Sequence, residues 1–174
     1  MNKTIFFLVF LSAFAGAQNK RFTYEYAVIA DSTNKADVHK ELLVLDVSPT
    51  GSLFYSYDKF KSDSIQTIEI NKQSNSKSEI INIKEDYKGK VFYTISKKYP
   101  TFETFLHTGM GNDNYKIVDD RKPIWTISSD QQKIGEFQAQ KAQANLYGRK
   151  WTAWFATELP IQDGPYKFQG LPGL

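Results

Sequence analysis

Residues 148–174 read GRKWTAWFATELPIQDGPYKFQGLPGL, and this stretch decides how the rest of the chain is interpreted. Its aromatic residues stand between turns rich in glycine and proline: Trp151, Trp154, Phe155, Tyr166 and Phe168. The pattern predicts a strand, a shaped loop and the start of another strand, because flat rings pack well on a pleated surface and Gly-Pro pairs form tight turns. The sequence stops at Leu174, where such a turn would normally lead into a further strand. We therefore expect the natural chain to continue.

The composition favours one β-rich domain. A chain of 174 residues that is 41% hydrophobic and 15% aromatic can bury a substantial core, which excludes a disordered protein. The formal net charge of +3 is too small to indicate a nucleic-acid partner. The absence of cysteine excludes a lipoprotein anchored through an N-terminal cysteine, a structural disulfide, a thiol nucleophile and a cysteine-based zinc site.

The first 17 residues have the three parts of a secretory signal peptide. Lys3 supplies the charged start, residues 5–14 form the apolar run, and residues 15–17 (Ala-Gly-Ala) form a small-x-small cleavage site. We expect export to the periplasm or the extracellular space, with a mature chain that begins at Gln18. No other segment approaches the roughly 20 apolar residues of a membrane span. Residues 18–174 are predicted to form a single β-rich domain that lacks its C-terminal strands.

Alternation of apolar and polar residues predicts a succession of strands. The first strand is predicted at 21–30, the next two form an antiparallel hairpin at 38–47 and 52–60, and residues 65–70 fit either a strand or one or two helical turns. Further strands are predicted at 78–84, 91–96, 101–107, 115–118, 124–128, 134–146 and 150–157. So many strands must curl or be covered to protect their edges. The predicted fold is mostly β: one large, curved antiparallel sheet shaped like a half-barrel or bowl, with few or no long helices.

The C-terminal stretch resembles the end motif of the GLPGLI family, secreted proteins of the Bacteroidetes without an established activity. The resemblance rests on Gly148, Arg149, Trp151, Gly164, Pro165, Gly170, Leu171, Pro172, Gly173 and Leu174. Blocks at 124–127 and 52–56 also resemble the family. Ala139 stands where a cysteine is common in it, and the chain stops one residue before the isoleucine that names the motif. The resemblance implies a strand-rich envelope protein, similar in style to half-barrel lipoprotein carriers of the periplasm, and implies no activity.

Aromatic side chains are the first candidates for a ligand site. Such rings would line a pocket for an apolar or carbohydrate ligand, and packing in the core is the simpler alternative. The candidates are Trp125, Trp154, Phe155 and Tyr166. Trp151 and Trp154 stand three residues apart, so a strand points them to opposite faces and at most one can enter a given pocket.

Few groups are candidates for catalysis or metal binding. The two imidazoles, His39 and His107, lie far apart in sequence and have no metal-type spacing. Glycoside hydrolysis requires two carboxylates that face each other across a cleft, for which the candidates are Glu103, Glu136 and Glu158. The acidic residues near the loop at 109–114 lack the regular oxygen spacing of an EF-hand, so a turn is preferred to a calcium site there. They are Asp113, Asp119 and Asp120.

The sequence supports three functional hypotheses. The leading one is a non-enzymatic exported protein whose apolar groove binds or carries a lipid, a glycan or an envelope protein. The second is a glycan-acting hydrolase or an accessory domain of one. The third is an assembly module of the outer envelope, recognised by a partner through residues 164–174. No cofactor is expected under the leading hypothesis.

Overall fold

The computed structural model describes residues 19–75 and 89–173. The signal peptide predicted at 1–17, the strand predicted at 78–84 and the last motif residue, Leu174, lie outside the described residues. Within these ranges the chain forms nine strands in two antiparallel sheets, together with one helix.

The larger sheet has six strands that follow one another in sequence order. They are β1 (Lys20–Ile29), β2 (Val38–Ser48), β3 (Gly51–Ser56), β4 (Thr94–Lys98), β5 (Glu103–Met110) and β6 (Asp113–Asp119). Each strand pairs antiparallel with the next, so the sheet is a meander. The smaller sheet contains β7 (Thr126–Ile134), β8 (Phe137–Leu146) and β9 (Arg149–Phe155). Residues 156–173, which follow β9, are called the C-terminal loop below.

One helix, α1 (Tyr57–Asn75), interrupts the larger sheet between β3 and β4. Ser56 caps it, because the backbone N–H of Lys59 donates to Ser56 Oγ at 3.3 Å, the geometry of an N-cap. The strand predicted at 52–60 therefore ends at Ser56, and its last four residues begin the helix instead. None of the described helical residues forms a segment both long and apolar enough to cross a membrane.

The mostly β, antiparallel class predicted from the sequence is confirmed. The strands divide between two sheets, so the single large sheet of the prediction is replaced by a six-stranded and a three-stranded one, and neither closes into a barrel among the described residues. The hairpin predicted at 134–157 corresponds to β8 and β9.

The hydrophobic core lies on the inner face of the larger sheet. Antiparallel register places Leu45, Phe54 and Ile95 side by side on that face, each at most 2% exposed. A smaller cluster of Ala142, Phe155 and Leu171 joins the three-stranded sheet to the C-terminal loop. The loop thus closes over both sheets.

Candidate functional site

A buried carboxylate fixes the C-terminal loop to the larger sheet. Asp163 accepts hydrogen bonds from Ser52 Oγ and Tyr99 Oη, both at 2.5 Å, and from the backbone N–H of Gly164 at 2.7 Å. Lys97 Nζ donates to the other side of the same carboxylate. The side chains of Lys97 and Asp163 are 1% and 0% exposed. We call this group the Asp163 anchor.

The ammonium group of the Asp163 anchor has no hydrogen left for a ligand. Besides the bond to Asp163, Lys97 Nζ donates to the carbonyl oxygens of Gly164 at 2.8 Å and Phe168 at 2.7 Å. An ammonium group has three donors, and all three are used. Burial lowers the pKa of Lys97, against the attraction of Asp163. Satisfied polar networks of this kind hold a fold in one arrangement, so the anchor is structural.

A second buried carboxylate, Asp119, holds the next part of the loop. It accepts hydrogen bonds from Lys167 Nζ at 2.6 Å, from Tyr147 Oη at 3.1 Å and from the guanidinium of Arg121 at 3.1 and 3.2 Å. Burial favours the protonated acid, but the hydrogen bonds from Arg121 and Lys167 outweigh it and hold the pKa of Asp119 well below its usual range. We call this group the Asp119 anchor. Asp119, one of the three acidic residues considered above as calcium ligands, is therefore already bound by side chains of the protein.

The C-terminal loop and the larger sheet enclose an aromatic cleft of about 590 Å³. One wall is the inner face of the larger sheet, including Tyr24, Tyr26 and Phe54. The first two belong to the edge strand β1, where alternate residues point inward. Small-molecule sites in proteins typically have volumes of about 300–1,000 Å³, so the cleft is large enough for a ligand.

The opposite wall comes from the β8–β9 hairpin and the C-terminal loop. The ring centres of Trp151 and Phe168 are 4.9 Å apart, those of Tyr166 and Phe168 5.8 Å, and those of Tyr147 and Tyr166 6.3 Å, all edge to face. Pro165 adds an apolar surface beside them. Edge-to-face contacts fix the orientation of each ring, so this wall is formed before any ligand arrives.

Two residues of this wall have an unusual backbone. Tyr147 and Tyr166 have φ angles of 56° and 54°, in the left-handed region that bulky residues rarely adopt. Tyr147 and Gly148 form the two-residue turn that joins β8 to β9, and positive φ at both central positions is the type I′ turn. Such backbone costs about 1–3 kcal/mol per residue and is concentrated at functional sites. Of the three non-glycine residues with positive φ among the described residues, two thus lie in the wall of the cleft, and the third, Phe102, lies outside it.

Of the four residues predicted from the sequence to bind a ligand, one lies in the aromatic cleft. Tyr166 lines the aromatic cleft, together with the motif residues Arg149, Trp151 and Pro165. The other three lie elsewhere. Trp125 donates its indole N–H to the carbonyl of Gln169 at 2.8 Å, Phe155 is 3% exposed in the core of the smaller sheet, and Trp154 packs beneath the ammonium of Lys141, 6.0 Å from the ring centre.

The three carboxylates weighed for glycoside hydrolysis do not form a pair in the cleft. All of them are exposed and belong to different elements: Glu103 in β5, Glu136 in the turn after β7 and Glu158 in the C-terminal loop.

The candidate metal-binding residues are also spread over the larger sheet. His107 in β5 contacts Ser96 Oγ through Nε2 at 2.8 Å, while His39 lies in β2. Asp113 begins β6 and Asp119 ends it, and Asp120 follows as an exposed residue. Among the residues that the structure describes, no cluster of three or more His, Asp or Glu side chains is placed to hold a metal ion.

Sequence reasoning missed the residues that position the cleft. Lys97 stands two residues after Ile95 in β4, and period two therefore places it on the buried face. This two-residue spacing from Ile95 could have shown from the sequence that Lys97 is buried and therefore needs a partner. Its partner, Asp163, lies 66 residues further along the chain, and no local pattern connects the two.

The comparisons with known proteins concern the end of the chain. Residues 147–174 match a family described as a protein of unknown function (Porph_ging). The matched residues that the structure describes form the tip of the β8–β9 hairpin, β9 and the C-terminal loop, which together supply one wall of the cleft and the loop partners of both anchors. A search of curated proteins and a search of solved structures each found no match.

Proposed function

We propose that this chain is a non-enzymatic binding module that holds a small apolar ligand in the aromatic cleft. The observation that carries the proposal is the cleft itself. Two aromatic walls from different sheets face each other across about 590 Å³, and buried ion pairs fix the loop that completes the second wall. A cavity formed in advance binds at lower entropic cost than one that must be assembled around the ligand.

The chemistry of the lining favours binding over catalysis. Burial raises the pKa of Tyr24 and Tyr93, and it does the same for Tyr147, so these hydroxyls remain protonated near neutral pH and are poor general bases. Glu25 is also among the lining residues, but its carboxylate accepts a hydrogen bond from Lys40 at 2.8 Å. A nucleophile activated by a neighbouring base, the usual requirement for covalent catalysis, is not among the lining residues that the structure describes.

The proposed setting is the periplasm or the extracellular space, and the support for it is the three-part signal at residues 1–17. We include membership of the GLPGLI family in the proposal. The match to a family of unknown function covers the stretch on which the resemblance rests.

The experiment compares two tryptophans of the same strand. Trp151 lines the cleft and Trp154 lies elsewhere, so Trp151→Ala and Trp154→Ala form a matched pair. The purified protein is titrated with the neutral probe N-phenyl-1-naphthylamine, whose fluorescence rises in an apolar site. We expect saturable binding by the wild type and by Trp154→Ala, and binding weaker by about tenfold or more in Trp151→Ala, because one wall loses its largest ring.

Circular dichroism shows whether each variant folds. If Trp151→Ala does not fold, Tyr26→Ala repeats the test from the opposite wall. Equal affinities of the wild type and the cleft variant would contradict the proposal, as would a wild-type protein that does not bind the probe.

A further inference from the structure

We infer that the ligand carries one anionic group and that Arg149 binds this group at the aromatic cleft. The inference rests on the proposed function and adds the chemical class of the ligand: an apolar body that ends in a carboxylate, phosphate or sulfate. It comes from the charges around the cleft and from the position that the β8–β9 turn gives to Arg149.

Two residues that line the cleft have charged side chains, Glu25 and Arg149. Glu25 stands between Tyr24 and Tyr26, which face the core, so its side chain points to the opposite face of the sheet. There its carboxylate forms an ion pair with Lys40 at 2.8 Å. Glu25 therefore does not present an unpaired negative charge to a ligand in the cleft.

Arg149 carries the charge at the cleft that is available to bind a ligand. Its side chain is exposed, and no side chain within residues 19–75 or 89–173 forms a hydrogen bond or an ion pair with its guanidinium. The buried carboxylate that binds Tyr147 of the same turn, Asp119, already binds two cations, Arg121 and Lys167. The exposed Asp120 also interacts with Arg121, so these two acidic and two basic groups balance, and Arg149 adds a positive charge at this end of the cleft.

The backbone directs Arg149 toward the aromatic wall. It pairs with Leu146 directly after the Tyr147-Gly148 turn, and in a strand it shares a face with Trp151, two residues further on. The indole N–H of Trp151 donates to the carbonyl of Leu146, the residue that pairs with Arg149, at 3.0 Å, which fixes the position of the ring. An anionic group at Arg149 and an apolar body against Trp151 can thus belong to one molecule.

Two further properties of the cleft agree with an anionic ligand: its cation is a guanidinium, and its buried tyrosines are uncharged. A guanidinium is a planar fork that binds a carboxylate or a phosphate through two parallel hydrogen bonds. Burial raises the pKa of Tyr24 and Tyr93, so both stay uncharged near neutral pH and do not repel an anion.

The test uses two ligands of equal size, decanoate and decanamide, below the micellar concentration of decanoate. Isothermal titration calorimetry at low salt compares the wild type with Arg149→Gln and with Lys150→Gln, whose exposed cation is adjacent in sequence but on the other face of β9. We expect the wild type to prefer decanoate by about tenfold or more, the gain from a charged hydrogen-bonded pair. Arg149→Gln should lose this preference and bind the two ligands with similar affinity, while Lys150→Gln should keep the preference.

The possible failures separate the inference from the proposed function. Equal affinities of the wild type for both ligands would overturn the inference and leave the aromatic cleft as a binding site. A preference that persists in Arg149→Gln would also overturn it, because another cation would then bind the anion. If the wild type binds neither ligand and does not bind N-phenyl-1-naphthylamine either, the proposed function fails as well.

A further arm distinguishes two sources of the anionic ligand. Vesicles of phosphatidylglycerol present the anionic group on a bilayer, whereas decanoate presents it free in solution. Co-sedimentation of the wild type with the vesicles, lost in Arg149→Gln, would support recognition of a membrane lipid. Decanoate preference without co-sedimentation would support recognition of a free amphiphile.

Discussion

The C-terminal loop meets the larger sheet in two contrasting ways only a few residues apart. At Asp163 the loop is enclosed, and the carboxylate and its lysine partner have all their hydrogen-bonding positions occupied by the protein. At Tyr166 and Phe168 the same loop forms one wall of an open cleft. The difference separates the residues that keep the loop in place from those available to a ligand.

The two anchors also differ in electrostatic terms. Burial lowers the pKa of Lys97, so the Asp163 anchor encloses a charge that would be more stable in water. Burial disfavours the charge of Asp119 as well, but hydrogen bonds from Arg121 and Lys167 outweigh that cost and lower its pKa. Removing one partner from the first anchor should therefore have the larger effect on stability.

The largest effect is expected for Asp163→Ala. The substitution leaves the ammonium of Lys97 buried without its counter-ion, which typically costs about 3–5 kcal/mol of unfolding free energy. Urea denaturation followed by circular dichroism measures the change. The control is Asp63→Ala, which removes an exposed i,i+4 pair with Lys59 in α1 and should cost about 0.5 kcal/mol or less. Similar losses in the two variants would show that Asp163 is not an anchor.

A smaller, pH-dependent effect is expected for Asp119→Asn. Because the folded-state pKa of Asp119 is depressed, its carboxylate contributes stability above the unfolded-state pKa of about 4, and this contribution is lost as the pH falls below it. At pH 7 the variant should be less stable by about 1.5–3 kcal/mol, the value of hydrogen bonds to a charged group. Urea midpoints measured from pH 7 to pH 2 should show the difference from wild type shrinking below pH 4. A difference that does not change with pH would argue against an ionised Asp119.

Local patterns predicted much of the fold because strand signals are local. Alternation located most strands, and the three-residue spacing of Trp151 and Trp154 placed them on opposite faces. The helix was anticipated only in part: one or two helical turns were left open at 65–70, and the run of large apolar and aromatic residues at 53–55 led the preceding strand to be extended to residue 60. In the structure Ser56 acts as the N-cap at which the strand ends. The division into two sheets depends on contacts distant in sequence, which composition and periodicity do not encode.

The candidate site was less predictable than the fold, for two physical reasons. Its walls come from β1, β2, β3, the residue before β4, the β8–β9 hairpin and the C-terminal loop, so no single stretch contains it. Its shape also depends on left-handed backbone at Tyr147 and Tyr166, which side-chain propensity would not suggest. The motif glycine Gly173 is easier to explain: a Cβ there would lie 2.4 Å from the carbonyl oxygen of Ala156.

The smallest expected effect tests the residue that belongs to both regions. Tyr147 lines the cleft and also donates to Asp119 at 3.1 Å, whereas no hydrogen bond is found for the hydroxyl of Tyr166 within the described residues. Tyr147→Phe should therefore lower the unfolding free energy by about 1 kcal/mol, and Tyr166→Phe should leave it nearly unchanged. Both variants keep their rings, so both should bind N-phenyl-1-naphthylamine like the wild type. Equal stability of the two variants would mean that the hydroxyl of Tyr147 does not join the cleft wall to the Asp119 anchor, and that the ring contacts of Arg121 and Lys167 with Tyr147 are sufficient to hold the strained turn.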